Sequence, residues 1–242
     1  MGIFTGQIAI VTGASSGVGK AIARHLATHG AILYLVGRNR ENLEKLATEI
    51  RSFSTQAFTY EVDLARIERI GTFVSRLRQD VCSVDLLIHS AGIISPGRVE
   101  TTPVENLDWH YDINVRAPYF LTQQLLPLLK VRQGQIVFIN SSAALNARAK
   151  ISQYAAMKSA QKALANSLRE EVNADGIRVL TVFLGRTATP MQAALYEREK
   201  IPYHPEILLQ PEDVAAVVSN ALSLPRTAEV TDISIRPLRK SY

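Results

Sequence analysis

The chain has 242 residues, of which 47% are hydrophobic and 20% charged, a composition that can bury a continuous core and is not that of a disordered chain. Its 27 Lys and Arg against 22 Asp and Glu leave a net charge of +5, and no short window gathers the basic residues among aromatics, so no nucleic-acid partner is expected. A lone cysteine, Cys82, excludes an intrachain disulfide framework and fits a reducing compartment.

Residues 8–11 form a short apolar run that ends in a glycine-bearing turn. Val18, Ala21, Ile22 and Leu26 follow at helical spacing, with Gly30 as a stop. Residues 32–36 predict a second buried strand, and Leu43, Leu46, Ala47 and Ile50 a second helix with Asn39 near its start. A third strand is expected over 57–62, then a helical face of Ile67, Ile70, Phe73, Val74 and Leu77. Residues 84–88, 136–139 and 179–184 repeat the continuous apolar strand character. Strands without polar alternation, interleaved with amphipathic helices, predict an α/β fold. The expected architecture is a single-domain, doubly wound parallel sheet over residues 1–242, with helices on both faces.

Two segments break this rhythm. Residues 107–130 are long for one crossover helix, and Pro118 predicts a kink or the start of a second helix. Residues 186–210 mix Met191, Leu195, Tyr196, Pro202, Tyr203, His204 and Pro205 with charges. Following the sixth strand, they reach the carboxyl edge where such sheets bind ligands. They are expected to form a mobile segment that covers a substrate; an ordinary surface excursion is the alternative. The purest apolar stretches, such as residues 31–36, are of strand length, so neither a signal peptide nor a membrane span is expected, and the protein reads as cytoplasmic. Met1 and Gly2 open like a myristoylation site, but Gly6 stands where Ser or Thr is needed.

Residues 12–19 read Thr-Gly-Ala-Ser-Ser-Gly-Val-Gly between the first strand and the first helix. Gly13 permits the tight turn, Gly17 lets the backbone approach a pyrophosphate, and Gly19 lets the helix lie close to the sheet. The helix N–H groups and its positive dipole end then face phosphates. At the end of the second strand, Val36-Gly37-Arg38-Asn39-Arg40 has no carboxylate for a ribose diol. Arg38 there favours NADP(H) over NAD, with Arg40 as a weaker helper. Two solvated loop arginines are the plainer alternative.

Together with this turn, Asp63-Leu64 after the third strand, Asn114, Ser141 and the Tyr154-x-x-x-Lys158 spacing make the chain resemble the short-chain dehydrogenase/reductase superfamily over nearly its whole length. Two places depart from the family pattern: His89-Ser90-Ala91-Gly92 stands for Asn-Asn-Ala-Gly, and Leu184-Gly185 for Pro-Gly, with Thr189 retained. The resemblance implies a Rossmann-type oxidoreductase, acting as a homodimer or homotetramer, that interconverts a carbonyl and a secondary alcohol on a small or medium, partly apolar substrate. It implies Asn114, Ser141, Tyr154 and Lys158 as catalytic residues. For the cofactor it implies Gly13, Ser15, Ser16, Gly17, Val18, Gly19, Arg38, Asp63, Leu64, Ser90, Ala91, Gly92, Tyr154, Lys158, Thr187 and Thr189, with no metal. A non-catalytic NADP(H)-sensing interaction protein on the same scaffold is the rival reading.

Tyr154 and Lys158 lie one turn apart on a helix and share a face. A phenol with an ordinary pKa of about 10 is a poor base at neutral pH. A neighbouring ammonium and a cationic nicotinamide are expected to favour the phenolate. In carbonyl reduction Tyr154 would supply the proton to the alkoxide, and Ser141 would hydrogen-bond the substrate oxygen. Ser142 is the adjacent candidate for that role. Lys158 would hold a ribose, and Asn114 would fix a water linking Lys158 to solvent.

Other signals carry less. His25 and His29 have an i, i+4 spacing that can bind zinc, yet no third ligand stands nearby, and they read as partly buried helix histidines. Trp109, beside His110 and Tyr111, reads as packing on a helix that commonly lies in a subunit interface of the family. Arg148 and Lys150, and the C-terminal Arg236, Arg239 and Lys240, read as solvated charge.

Overall fold

The computed structural model describes residues 2–53 and 55–239; Met1 and Lys240 lie outside the described residues. The elements run β1 (Ile8–Thr12), α1 (Gly17–Thr28), β2 (Ile32–Gly37), α2 (Arg40–Arg51), β3 (Ala57–Glu61), α3 (Ile67–Asp80), β4 (Leu86–His89), α4 (Val104–Tyr111), a π-helical turn (Asp112–Arg116), α5 (Ala117–Val131), β5 (Gln135–Ser141), α6 (Ser152–Val172), β6 (Arg178–Leu184), α7 (Pro190–Glu199), α8 (Pro211–Leu222) and β7 (Asp232–Ile235). Among the described residues, seven strands pair in parallel in the order β3-β2-β1-β4-β5-β6-β7. The doubly wound sheet expected from the sequence is therefore the fold.

The five inner strands lack polar alternation because both faces are covered. On β1, Ala9 and Val11 enter one core while Ile10 enters the other. The same split places Leu33, Leu35, Leu86, Ile88, Val137 and Val182 on the side of α1, α2 and α8. It places Tyr34, Val36, Leu87, Ile136, Phe138 and Val179 on the side of α3, α5 and α6. Successive side chains point to opposite faces, so two buried faces demand an unbroken apolar run.

Local chemistry sets the element ends. Asn39 caps α2, its side-chain oxygen accepting from the Asn42 N–H at 2.9 Å. Gly30 leaves α1 at φ +91°, a conformation that favours glycine. Pro118 falls in the first turn of α5, directly after the π turn. Here the ring begins a second helix, as one of the two expected outcomes had it. β4 starts two residues later than the expected 84–88 and β5 runs longer than 136–139, ordinary differences at strand ends. β7 escaped the sequence pattern altogether, because its four residues, with Asp232 and Ser234, alternate between exposed and half-buried at the sheet edge.

Residues 186–210 contain α7 and a short 3-10 turn, Pro205–Ile207. A parallel bridge between Thr187 and Leu209 joins the two ends of the segment, with Leu209 N–H donating to the Arg186 carbonyl at 3.1 Å and Ala188 N–H to the Leu209 carbonyl at 2.8 Å.

Candidate active site

The strand order reverses between β1 and β4, and the crevice beyond their carboxyl ends is where such sheets take ligands. Thr12, at the end of β1, braces that edge. Its hydroxyl accepts from the N–H groups of Ser90 and Ala91 at 3.1 and 3.2 Å and donates to the Ile88 carbonyl at 3.3 Å. The glycine turn is packed against the same loop. Gly13 has φ +67°, and a Cβ there would stand 2.8 Å from Ala91 N. A Cβ at Gly19 would stand 2.5 Å from the Gly13 carbonyl oxygen. No larger residue fits either position.

The turn suits a phosphate group. Ser16, at the N-cap of α1, makes no side-chain cap bond, and the first turn carries no acidic residue. The first-turn N–H groups and the positive end of the helix are thus left for an anion. A Cβ at Gly17, φ +53°, would come within 3.1 Å of the Thr189 methyl, so the start of α7 lies against the turn. Ser15 Oγ lies 3.4 Å from a Cβ built on Gly37, beside the exposed Arg38. Asp63 accepts from the Ala65 N–H at 3.1 Å, turning the chain after β3, and Leu64 beside it is buried. The structure thus brings the glycine turn, Ser90–Gly92 and Thr189 into one cleft, with Arg38 at its rim.

Ser141, Tyr154, Lys158 and Asn114 meet at the ends of β5, α6 and the π turn. Lys158 is 4% exposed, and its ammonium donates to the Ile139 carbonyl at 2.9 Å and to Gln161 Oε1 at 3.2 Å. Burial pulls its pKa down to about 8. The ammonium stands 5.9 Å from the centre of the Tyr154 ring. Burial raises the Tyr154 pKa, and the hydrogen bond with Ser141 works against that rise. In this ligand-free site burial outweighs any help to the phenolate, so Tyr154 is held as the protonated phenol at neutral pH. Ser141 Oγ also accepts from the Ala143 N–H at 3.1 Å, while Ser142 is exposed and opens a 3-10 turn. It is Ser141 that meets Tyr154.

Asn114 is fully buried and clamps the loop after β4 with both ends of its amide: Oδ1 accepts from the Ile93 N–H and Nδ2 donates to the Ile93 carbonyl, each at 3.1 Å. A Cβ at Gly92 would press on Asn114 Oδ1 at 3.1 Å, which explains a small residue where the loop crosses. The link from Asn114 to Lys158 runs through Gln161, whose Nε2 donates to the Asn114 carbonyl at 3.1 Å. Asn140 ties β5 to α6 by donating to the Lys158 carbonyl at 3.0 Å. Neither Gln161 nor Asn140 stood out in the sequence, although a polar residue one turn beyond Lys158 on a buried stripe was the available signal.

The two departures from the family pattern are both accommodated. His89 is 3% exposed, stacks on Phe138 at 4.8 Å, and places Nε2 2.8 Å from Thr122 Oγ1. Burial, with the charge of Lys158, drives its pKa down to about 3, so the ring is neutral. At the other departure, Gly185 donates to the Ile235 carbonyl at 2.8 Å, and a Cβ there would stand 2.9 Å from Pro237 Cδ. Thr187 donates to the Gly185 carbonyl at 3.1 Å, and Thr189 caps α7. The rim is joined across the cleft, with Arg198 donating to Ser95 Oγ at 3.3 Å and the Gly97 N–H to the Lys150 carbonyl at 2.7 Å. His25 and His29 stack at 4.7 Å far down α1, and no group of three or more His, Cys, Asp or Glu able to hold a metal occurs among the described residues. Among the same residues no helix is long and apolar enough to cross a membrane.

Residues 7–200 match the short chain dehydrogenase family. An uncharacterized oxidoreductase of Staphylococcus aureus (strain USA300) is 28% identical over 239 residues, covering 98% of this chain and 100% of the relative. Among solved structures, a metagenomic short-chain oxidoreductase in complex with NADP superposes with a TM-score of 0.85 at 28% identity, over 98% of this chain and 100% of that one. The alcohol dehydrogenase of the archaeon Thermococcus sibiricus, complexed with 5-hydroxy-NADP, gives a TM-score of 0.87 at 26% identity over 98% and 99%. With motif order, strand order and family match in agreement, the chain belongs to the short-chain dehydrogenases and is an oxidoreductase.

Proposed function

We propose that this oxidoreductase is NADP(H)-dependent and interconverts a carbonyl and a secondary alcohol on a small or medium, partly apolar substrate. The observation that carries the reading is a phenol hydrogen-bonded to Ser141 and standing over the buried ammonium of Lys158. Gly13, Ser15, Ser16, Gly17, Val18 and Gly19 would hold the pyrophosphate, with Thr187 and Thr189 closing from the far side. Asp63, Leu64, Ser90, Ala91 and Gly92 would line the adenosine and ribose positions. Arg38 would pair with a 2′-phosphate, a preference supported by the two similar structures that hold NADP or 5-hydroxy-NADP. When bound, the dinucleotide supplies the hydride donor or acceptor.

The chain's own residues supply the proton and the positioning. Tyr154, kept protonated by burial, gives its Oη proton to the substrate oxygen in the reducing direction and recovers it in the other. Ser141 donates a hydrogen bond to that oxygen and stabilises the charge that develops there. Lys158 presents a positive charge beneath the phenol and a donor to the ribose, and Asn114 holds the loop that shapes this corner. Residues 186–210 form the covering segment of a single catalytic unit. A cytoplasmic homodimer or homotetramer is the assembly we propose, supported by the exposed Trp109, Tyr111 and Tyr119 on α4 and α5.

Tyr154→Phe tests the mechanism directly. It keeps the ring and removes the proton carrier, so NADPH-dependent reduction across a carbonyl panel should fall by about 100-fold or more. Equal rates for the variant and its parent would overturn the assignment.

A further inference from the structure

The face that α6 turns inward is not uniformly apolar. Ala155, Lys158, Gln161, Ala165 and Val172 are buried on it, and Gln161 keeps only 1% of its surface exposed. A primary amide so enclosed must find partners at both ends or destabilise the fold. Gln161 finds them in two different parts of the site. Its Oε1 accepts from Lys158 Nζ at 3.2 Å, and its Nε2 donates to the Asn114 carbonyl at 3.1 Å.

The amide has only one workable orientation. An ammonium only donates and must face Oε1; a main-chain carbonyl only accepts and must face Nε2. The sequence also leaves that carbonyl open. Four residues beyond Asn114 stands Pro118, which has no N–H with which to close the ordinary α-helical bond. Pro118 therefore cannot take this carbonyl by the regular helical bond, and Gln161 does bond it. Of the three ammonium donors on Lys158, two go to the Ile139 carbonyl and Gln161, which leaves one for a ligand on the side of Gly92, where a Cβ would lie 3.8 Å from Nζ.

We infer that Gln161 is a positioning residue: it aims the ammonium of Lys158 and ties it to the π turn that carries Asn114. This rests on the role proposed above for Lys158. The titratable groups facing Lys158 are Tyr154 on the same helix, with its ring centre 5.9 Å away, and His89 from β4. Both are neutral, so two carbonyl-type oxygens, of Ile139 and Gln161, hold the positive charge in the interior.

Two variants of opposite electrostatics provide the test. Gln161→Met keeps the length and removes the acceptor; Gln161→Glu keeps the shape and adds a negative charge, and each is informative without the other. In the ligand-free protein, the pH dependence of Lys158 acetylation by trace acetic anhydride reads its titration. Gln161→Met should lower that midpoint by about one pH unit and Gln161→Glu should raise it by at least as much. The pH at which kcat for NADPH-dependent carbonyl reduction declines should move in the same two directions. For Gln161→Met, kcat at pH 8 should drop on the order of tenfold, with KM moving far less. Unchanged Lys158 midpoints in both variants, or shifts of the same sign, would overturn the inference and leave Gln161 a packing residue. Separated midpoints in a protein that reduces no carbonyl would support the coupling of Gln161 to Lys158 while rejecting the proposed reaction.

Discussion

Arg38 is exposed directly after β2. Its proposed work is electrostatic: a guanidinium meets a 2′-phosphate with paired donors, whereas a carboxylate there would accept from a ribose diol. Arg38→Asp should therefore raise KM for NADPH by on the order of 100-fold, a loss consistent with one charge-assisted contact exchanged for a repulsion, and change KM for NADH far less. An unaltered ratio of the two coenzymes would show that Arg38 does not discriminate. Residues of this kind can be nominated from the sequence because their chemistry is announced by type and position. Ser141 was nominated for the same reason, and the structure sets it against Tyr154 while Ser142 is exposed. Gln161 was not, since a polar residue on a helix ordinarily reads as a solvated one until the partner elements are known.

At the scale of elements, the end of β4 shows how a departure from a family pattern is absorbed. His89 replaces an amide with an aromatic ring that stacks on Phe138 of β5 and meets Thr122 of α5, and the loop N–H groups that follow are bonded by Thr12 of β1. The cost is a histidine that must stay neutral. Its folded pKa of about 3 lies below the ordinary 6.5, so the unfolded chain binds the extra proton first as pH falls. Stability is then fully present above pH 6.5 and is lost progressively as pH drops toward 3. At pH 5 this one group should cost about 2 kcal/mol relative to neutrality. Urea unfolding of the parent and of His89→Asn at pH 7 and pH 5 checks this: the variant should lose that much less stability over the interval. The sequence marked position 89 as unusual but held no trace of Phe138 or Thr122 as its neighbours, because those contacts cross strands and helices far apart in the chain. β7 was hidden for the opposite reason, being too short and too polar to resemble the buried strands.

For the molecule as a whole, the five inner strands and the winding of the chain were readable from apolar runs, because both sheet faces are buried there; β3, at the sheet edge, was readable only from its place in the alternation, with Ala57 alone buried. What the pattern did not contain was how residues 186–210 attach. The segment reaches across the cleft through Arg198, whose guanidinium donates to Ser95 on the loop after β4. Arg186 and Tyr196 support it from within, the guanidinium donating to the phenol oxygen at 2.9 Å. Arg198→Ala removes the outer tie and leaves the chemistry intact, so KM for the carbonyl substrate should rise a few-fold, as expected for one partly exposed hydrogen bond, while kcat changes by less than about twofold. Steady-state kinetics on a single substrate settles the matter; an identical KM would show that this tie does not shape the proposed substrate cover.

The bridge between Thr187 and Leu209 closes the neck of that excursion in register with the main chain, so whatever lies between the two residues hangs from a fixed collar. Changes of length or sequence between the two residues are therefore expected to leave the sheet and the proposed proton donor in place. On the proposed role of residues 186–210 as the substrate cover, exchange of residues 190–207 for those of a relative, with positions 187 and 209 kept, should change the substrate range.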